Sequence, residues 1–297
     1  MSGFLEQMAR TSAERVARAI SRVSESDMLA LARASAPPPP LALVARGFDL
    51  IAEVKLRSPA AGRLAAGERE PTEHELCGRV HDYAREGAAA VSVLTEPTRF
   101  DGSLQHLEAA ARALAGLRVP TMRKDFLVDP YQVLEARAAG AGGVLVILRM
   151  LTEAQALALL DCARDLGLFV LLEAFDEADL ERANAIVQQR RAPATERDTG
   201  SDAPHAEAAL LVGVNCRDLD TLQVVPGRLE ALADRLPGGV PRVAESGIAS
   251  AAEVSRVAAA GYELALVGSA LMKGGDPAAL VRDLLAAGRA AVRGLRD

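Results

Sequence analysis

The chain has 297 residues, half of them hydrophobic and a quarter charged, with 3% aromatic residues and no Trp. That length suits one large α/β domain or two small ones, and the composition calls for an aliphatic core of Ala, Val and Leu. A net charge of −6, with no long basic run, argues against a nucleic-acid partner. No segment approaches the ~20 apolar residues of a membrane span. Cys77, Cys162 and Cys216 are odd in number and far apart, which argues for a reducing compartment and against a disulfide frame or a paired-cysteine metal site. The first residues include Glu6 and lack an apolar signal core, so a cytoplasmic location is expected.

In chain order, residues 11–23 (TSAERVARAISRV) predict an amphipathic helix. Thr11 and Glu14 have capping-box spacing, and Val16, Ile20 and Val23 share a face. Pro37 to Pro40 force an extended linker, because proline fixes φ and donates no hydrogen bond. Residues 1–47 are therefore expected to form an N-terminal helical extension with a proline-rich linker, ahead of a catalytic domain over 48–297. From Phe48 on, apolar runs alternate with helical stretches. The runs are 48–54, 88–94, 119–122, 143–148, 168–174, 210–215, 240–245 and 264–268. Asp129 as N-cap with Pro130 at the first helical position starts the helix after the third run. Helices closing in EARAAGAGG and RVAAAGYE end at glycine, which suits a left-handed C-cap. Eight strand–helix units predict an α/β fold, a (β/α)8 TIM barrel. The rival, an open doubly wound sheet, lacks a GxGxxG after its first strand. The polar stretch 188–208 breaks the rhythm and is expected to be a mobile insertion on the N-terminal face.

The strand C-termini of such a barrel form its active-site face. Six of the eight runs end in polar residues there: Glu53, Lys55 and Ser58; Arg123, Lys124 and Asp125; Glu173; Asn215, Arg217 and Asp218; Glu245, Ser246 and Gly247; Gly268 and Ser269. Burying so many charges together costs several kcal/mol unless they pair or meet a ligand. Lys124 could be a structural ion-pair partner of Glu53 or Asp125, but convergence at one mouth points to catalysis. Strand alternation sends Arg123 and Asp125 away from Lys124, as supports. Ser246-Gly247 and Gly268-Ser269 fall after strands seven and eight, where barrels often bind phosphate. His74, His81, His106 and His205 lie off the strand ends, which disfavours zinc hydrolysis or a Ser-His-Asp triad. The chemistry would then run on Lys and Glu. A lysine near another cation in a low-dielectric site can titrate near neutrality and act as an acid, and a buried glutamate can act as a base.

IAEVKLRSP, SVLTEPTRFDGSLQHL, RKDFLVDPYQVLEARAAGA, VGVNCRDL, AESGI and LVGSALM, in order over about residues 48–272, resemble the indole-3-glycerol phosphate synthase family of tryptophan biosynthesis. The resemblance implies ring closure of 1-(2-carboxyphenylamino)-1-deoxyribulose 5-phosphate with loss of CO2 and water, without metal or organic cofactor. Carried over by motif, Lys124 is the general acid at the substrate carbonyl. Lys55 contacts the substrate carboxylate, Glu173 is the base of the dehydration, Glu53 positions the lysines, and Asn215 serves the reacting centre. Ser58, Arg217, Glu245, Ser246, Gly247, Gly268 and Ser269 surround the substrate, and Phe100 and Phe126 pack on its aromatic ring. The implied partners are the phosphorylated small molecule and other tryptophan-pathway enzymes.

Three stretches depart from the family pattern. Cys216 stands where Asn or Ser is usual and reads as a small filler rather than a nucleophile. Ala174-Phe175 follow Glu173, and residues 65–80 match poorly. Competing readings are a Schiff-base aldolase using Lys124 or Lys55, a phosphoribosylanthranilate isomerase, whose chemistry normally uses Cys and Asp, and a non-catalytic phosphate-ligand barrel.

Overall fold

The computed structural model describes residues 3–59, 62–63, 72–191, 209–219, 221–273 and 275–294, and it turns each of the eight apolar runs into a strand. The strands are β1 (Asp49–Val54), β2 (Ala90–Leu94), β3 (Thr121–Lys124), β4 (Gly143–Ile147), β5 (Phe169–Ala174), β6 (Leu210–Asn215), β7 (Arg242–Glu245) and β8 (Leu264–Val267). Each pairs in parallel with the next, and β8 pairs with β1 to close the barrel. The open-sheet alternative is thereby excluded. The strands read as near-continuous Val, Leu, Ile and Ala because both of their faces are covered, the outer one by helices. The core is mainly aliphatic, though Tyr83, Tyr131 and Tyr262 are among its largest fully buried side chains. Tyr131 donates to Val23 O and Tyr262 to Leu229 O, which satisfies their hydroxyls.

Local signals place the helices. Asp129 caps the helix Pro130–Ala138 by accepting from the Tyr131 amide at 2.8 Å, and Gln132 completes a capping box. Gly140 (φ 85°) and Gly261 (φ 93°) take the left-handed turn after their helices. β3 runs two residues beyond the apolar stretch, because its charged residues alternate faces as a strand requires.

The N-terminal segment corrects one expectation. Its first helix, α1, spans Gly3–Ile20 rather than 11–23, and a second, α2, spans Glu25–Ala34. Thr11 does not start a helix. It sits inside α1 and its hydroxyl donates back to Met8 O. The side-chain cap in this segment is instead Ser24, which starts α2 by accepting from Asp27 N. Leu5 and Met8 of α1 are buried in the main core. The segment thus runs from the mouth, where α1 meets Phe126, down the helix Pro130–Ala138, and on to the floor. There Pro38 and Pro39 lie against Gly142, just ahead of β4. Of the polar stretch 188–208, residues 188–191 complete the helix Glu177–Arg191, and residues 192–208 lie outside the described residues. No helix among the described residues is long and apolar enough to cross a membrane.

Candidate active site

The C-terminal ends of the strands surround a cavity of about 260 Å³. All fourteen residues singled out from the sequence line it: Glu53, Lys55, Ser58, Phe100, Lys124, Phe126, Glu173, Asn215, Arg217, Glu245, Ser246, Gly247, Gly268 and Ser269. Their strand-end positions bring them together, since a parallel barrel points all eight C-termini at one rim.

Two ion-paired clusters line the cavity. Lys55 Nζ lies 2.7 Å from Glu53 Oε1. Lys124 Nζ lies 3.2 Å from Glu173 Oε2 and 3.8 Å from Glu245 Oε2. Lys124 therefore pairs with neither Glu53 nor Asp125, the two partners considered from the sequence. Its titration also runs opposite to the expectation of a near-neutral lysine. Burial alone would pull the ammonium down, but Glu173, Glu245 and Glu53 outweigh it and hold Lys124 above its ordinary value. Lys124 is thus an ammonium at neutral pH.

Glu245 is 1% exposed, and neither of its carboxyl oxygens has a hydrogen-bond partner among the described residues. Burial first, and then the neighbouring Glu173, push its carboxyl well above the usual range, with Lys124 pulling part of the way back. One oxygen of Glu53, Oε2, also lacks a partner among the described residues. The cavity thus offers carboxyl oxygens and lysine side-chain nitrogens to whatever enters.

Arg123 and Asp125 act as supports. Asp125 accepts from Arg15 of α1 at 2.9 and 2.7 Å, from Thr95 Oγ1 at 2.7 Å and from Arg123 at 3.1 Å. Arg123 also donates to Gln132 O and pairs with Glu135 at 3.0 Å. Burial alone would raise the Asp125 carboxyl, but these cations and donors hold it well below the usual range.

One wall is aromatic. Phe126 has Phe100 at 6.1 Å between ring centroids and Phe4 at 5.9 Å, edge-on. Phe100 is placed by a four-residue helix, Pro97–Phe100, whose cap Glu96 accepts from Thr98 N and Arg99 N. Opposite, the chain after β6 folds back. Val225 N bonds to Cys216 O, and Arg217 donates to Leu222 O at 2.6 Å. Arg217 thus spends part of its guanidinium on holding this turn, and its amide donates to Asn215 Oδ1. The turn sets Leu219 and Leu222 over the cavity. At the far rim Ser246 (φ 66°) and Gly247 (φ 68°) form a left-handed pair, and Cys216 Sγ lies 3.2 Å from Ser246 O. Burial pushes the Cys216 thiol up to about 11, which suits a filler.

Sequence reasoning missed the apolar lining: Phe4, Leu94, Ile147, Leu219 and Leu222. Leu94 and Ile147 end strands and could have been found by the same strand-end rule. Phe4 carried no local signal, since its place depends on how α1 docks.

Fold and mouth define a class, the (β/α)8 barrels that gather their charged groups at the C-terminal rim. Solved structures share the barrel architecture at low identity. The 3-hexulose-6-phosphate synthase of Salmonella typhimurium matches with a TM-score of 0.56 at 14% identity, over 81% of this chain and 98% of that one. A tryptophan synthase from M. tuberculosis matches with a TM-score of 0.54 at 14% identity, over 90% and 99%. Sequence is more discriminating. The family model for indole-3-glycerol phosphate synthase matches residues 5–189 and 196–284. The indole-3-glycerol phosphate synthase of Micrococcus luteus is 42% identical over 241 residues, 81% of this chain and 79% of that one. That of Parafrankia sp. (strain EAN1pec) is 41% identical over 240 residues, 81% and 78%. The chain belongs to the indole-3-glycerol phosphate synthase family.

Proposed function

We propose that this chain is an indole-3-glycerol phosphate synthase, a carboxy-lyase that closes the ring of 1-(2-carboxyphenylamino)-1-deoxyribulose 5-phosphate with loss of CO2 and water. The observation that carries the reading is the Lys124 ammonium, held between Glu173 and Glu245 at the same mouth as the Lys55–Glu53 pair. Ring closure needs a proton at the carbonyl oxygen as the aryl carbon attacks; the Lys124 ammonium gives it one and is left as the neutral amine until it is reprotonated. Lys55, paired with Glu53, meets the substrate carboxylate before CO2 leaves. Glu173 takes the proton lost in the dehydration, and Glu53 and Asn215 orient the lysines and hydroxyls. The phosphate sits among Ser246, Gly247, Gly268 and Ser269, and the aromatic ring among Phe100, Phe126 and the leucines. Anchoring both ends holds the reacting carbons together.

A Schiff-base aldolase would need Lys124 as the free amine, and three carboxylates favour its ammonium form. The three cysteines are free, which suits a reducing cytoplasm shared with other tryptophan-pathway enzymes. The test is turnover of the carboxyphenylamino-deoxyribulose phosphate, followed by the growth of indole fluorescence. Lys124→Ala is expected to lower kcat by about 10²–10⁴-fold with the fold intact. Full turnover in that variant would remove the acid role.

A further inference from the structure

Gly213 lies inside β6, a buried strand, where a bare backbone weakens the strand unless something must approach it closely. The approaching group is the Glu245 carboxyl. A methyl at position 213 would stand closer to Glu245 Oε1 than any real side chain tolerates, with Leu171 Cδ1 at 3.1 Å on its other side. Gly268 stands in the same relation to Glu53 Oε1. Both carboxyls are therefore laid down on glycine backbone, Gly213 within β6 and Gly268 one residue past β8. Glu245 has no slack elsewhere, since it is 1% exposed and Lys124 Nζ is 3.8 Å away.

We propose that Gly213 is a positioning residue: its missing side chain is the seat that holds the Glu245 carboxyl against Lys124. The inference rests on the reading of this cavity as the reacting site. The three atoms nearest a methyl at 213 all belong to side chains, two of Glu245 and one of Leu171, so the barrel closes and Glu245 gives way. The displaced carboxyl moves off the far side of Lys124 while the phosphate and ring contacts, carried by other residues, stay in place. Gly213 would then govern kcat without touching substrate.

The test is a double-mutant cycle on the full-length chain with Gly213→Ala, Glu245→Asp and the pair together. Asp is one methylene shorter and leaves room for the new methyl. Gly213→Ala is expected to lower kcat about tenfold or more, with KM within about twofold. The double variant is expected to be no slower than Glu245→Asp alone, because both changes act on one contact. Losses that multiply in the double variant, or an unchanged kcat in Gly213→Ala, would overturn the proposal. If Gly213→Ala does not fold, thermal melts replace kinetics. Gly213→Ala/Glu245→Ala should then recover the Tm of Glu245→Ala, and failure to recover it would also overturn the proposal. Wild-type protein with no turnover would refute the synthase reading but leave the melting test standing.

Discussion

Glu245 lies 1% exposed at the end of β7, with Glu173 beside it and Lys124 3.8 Å away. Burial and Glu173 raise its carboxyl well above the unfolded value of about 4.3. A carboxyl with a raised folded value holds its proton more tightly in the folded protein than in the unfolded one. Stability is therefore lost as pH rises from about 4.3 through the raised value. Glu245→Gln removes that titration. Its Tm, measured from pH 4 to pH 8, is expected to rise relative to wild type as pH rises. A difference that stays flat across the range would mean that Glu245 is not strained. The same variant should cut turnover, because an amide then replaces the Glu245 carboxyl that packs 3.8 Å from Lys124 Nζ. Packing Glu245 beside Glu173 thus costs stability as pH rises, as crowded functional sites commonly do.

α1 is fastened to the piece of chain that carries Lys124. Arg15 pairs with Asp125, Ser12 donates to Phe126 O, and Gln132 donates to Ser12. Arg15→Ala leaves a fully buried Asp125 with Arg123, Thr95 and the Phe126 amide as its remaining partners, which is expected to cost about 1–3 kcal/mol. The Asp125 carboxyl is depressed in the fold. Its contribution is present above the unfolded value of about 3.9 and is lost as pH falls through the folded value. The Tm gap between wild type and Arg15→Ala should then be constant above about pH 5 and narrow below about pH 4. A gap that widens in acid would contradict the assignment. This docking was not legible in the sequence. Thr11 and Glu14 imitate a helix start, and nothing local reveals that Arg15 finds an acid 110 positions away.

Over the whole molecule, β1 and β8 meet only at closure, and the N-terminal segment spans the barrel from Phe126 at the mouth to Gly142 at the floor. The segment over 1–47 and the barrel are therefore expected to unfold together. Calorimetry should show one transition, and a separate early transition for the extension would count against that unity. The barrel was legible because its strands are buried on both faces and so appear as uninterrupted apolar runs bounded by glycine and helix caps. The rim was legible because charge at the end of such a run has no cheap explanation. Which acid faces which base was not. The nearness of Glu173 and Glu245 to Lys124 depends on barrel tilt and on the bare backbone at Gly213, neither of which leaves a mark on residues near 124.

Phe4 stands in the wall of the cavity, whereas Arg289, near the end of the last helix Pro277–Gly294, bonds to Phe48 O and Asp49 at the opposite end of the barrel. The two ends of the described chain are therefore unequal handles. A bulky affinity tag joined ahead of Gly3 would crowd the doorway through which substrate enters. The same tag joined behind Gly294 would hang beneath the floor, out of the traffic.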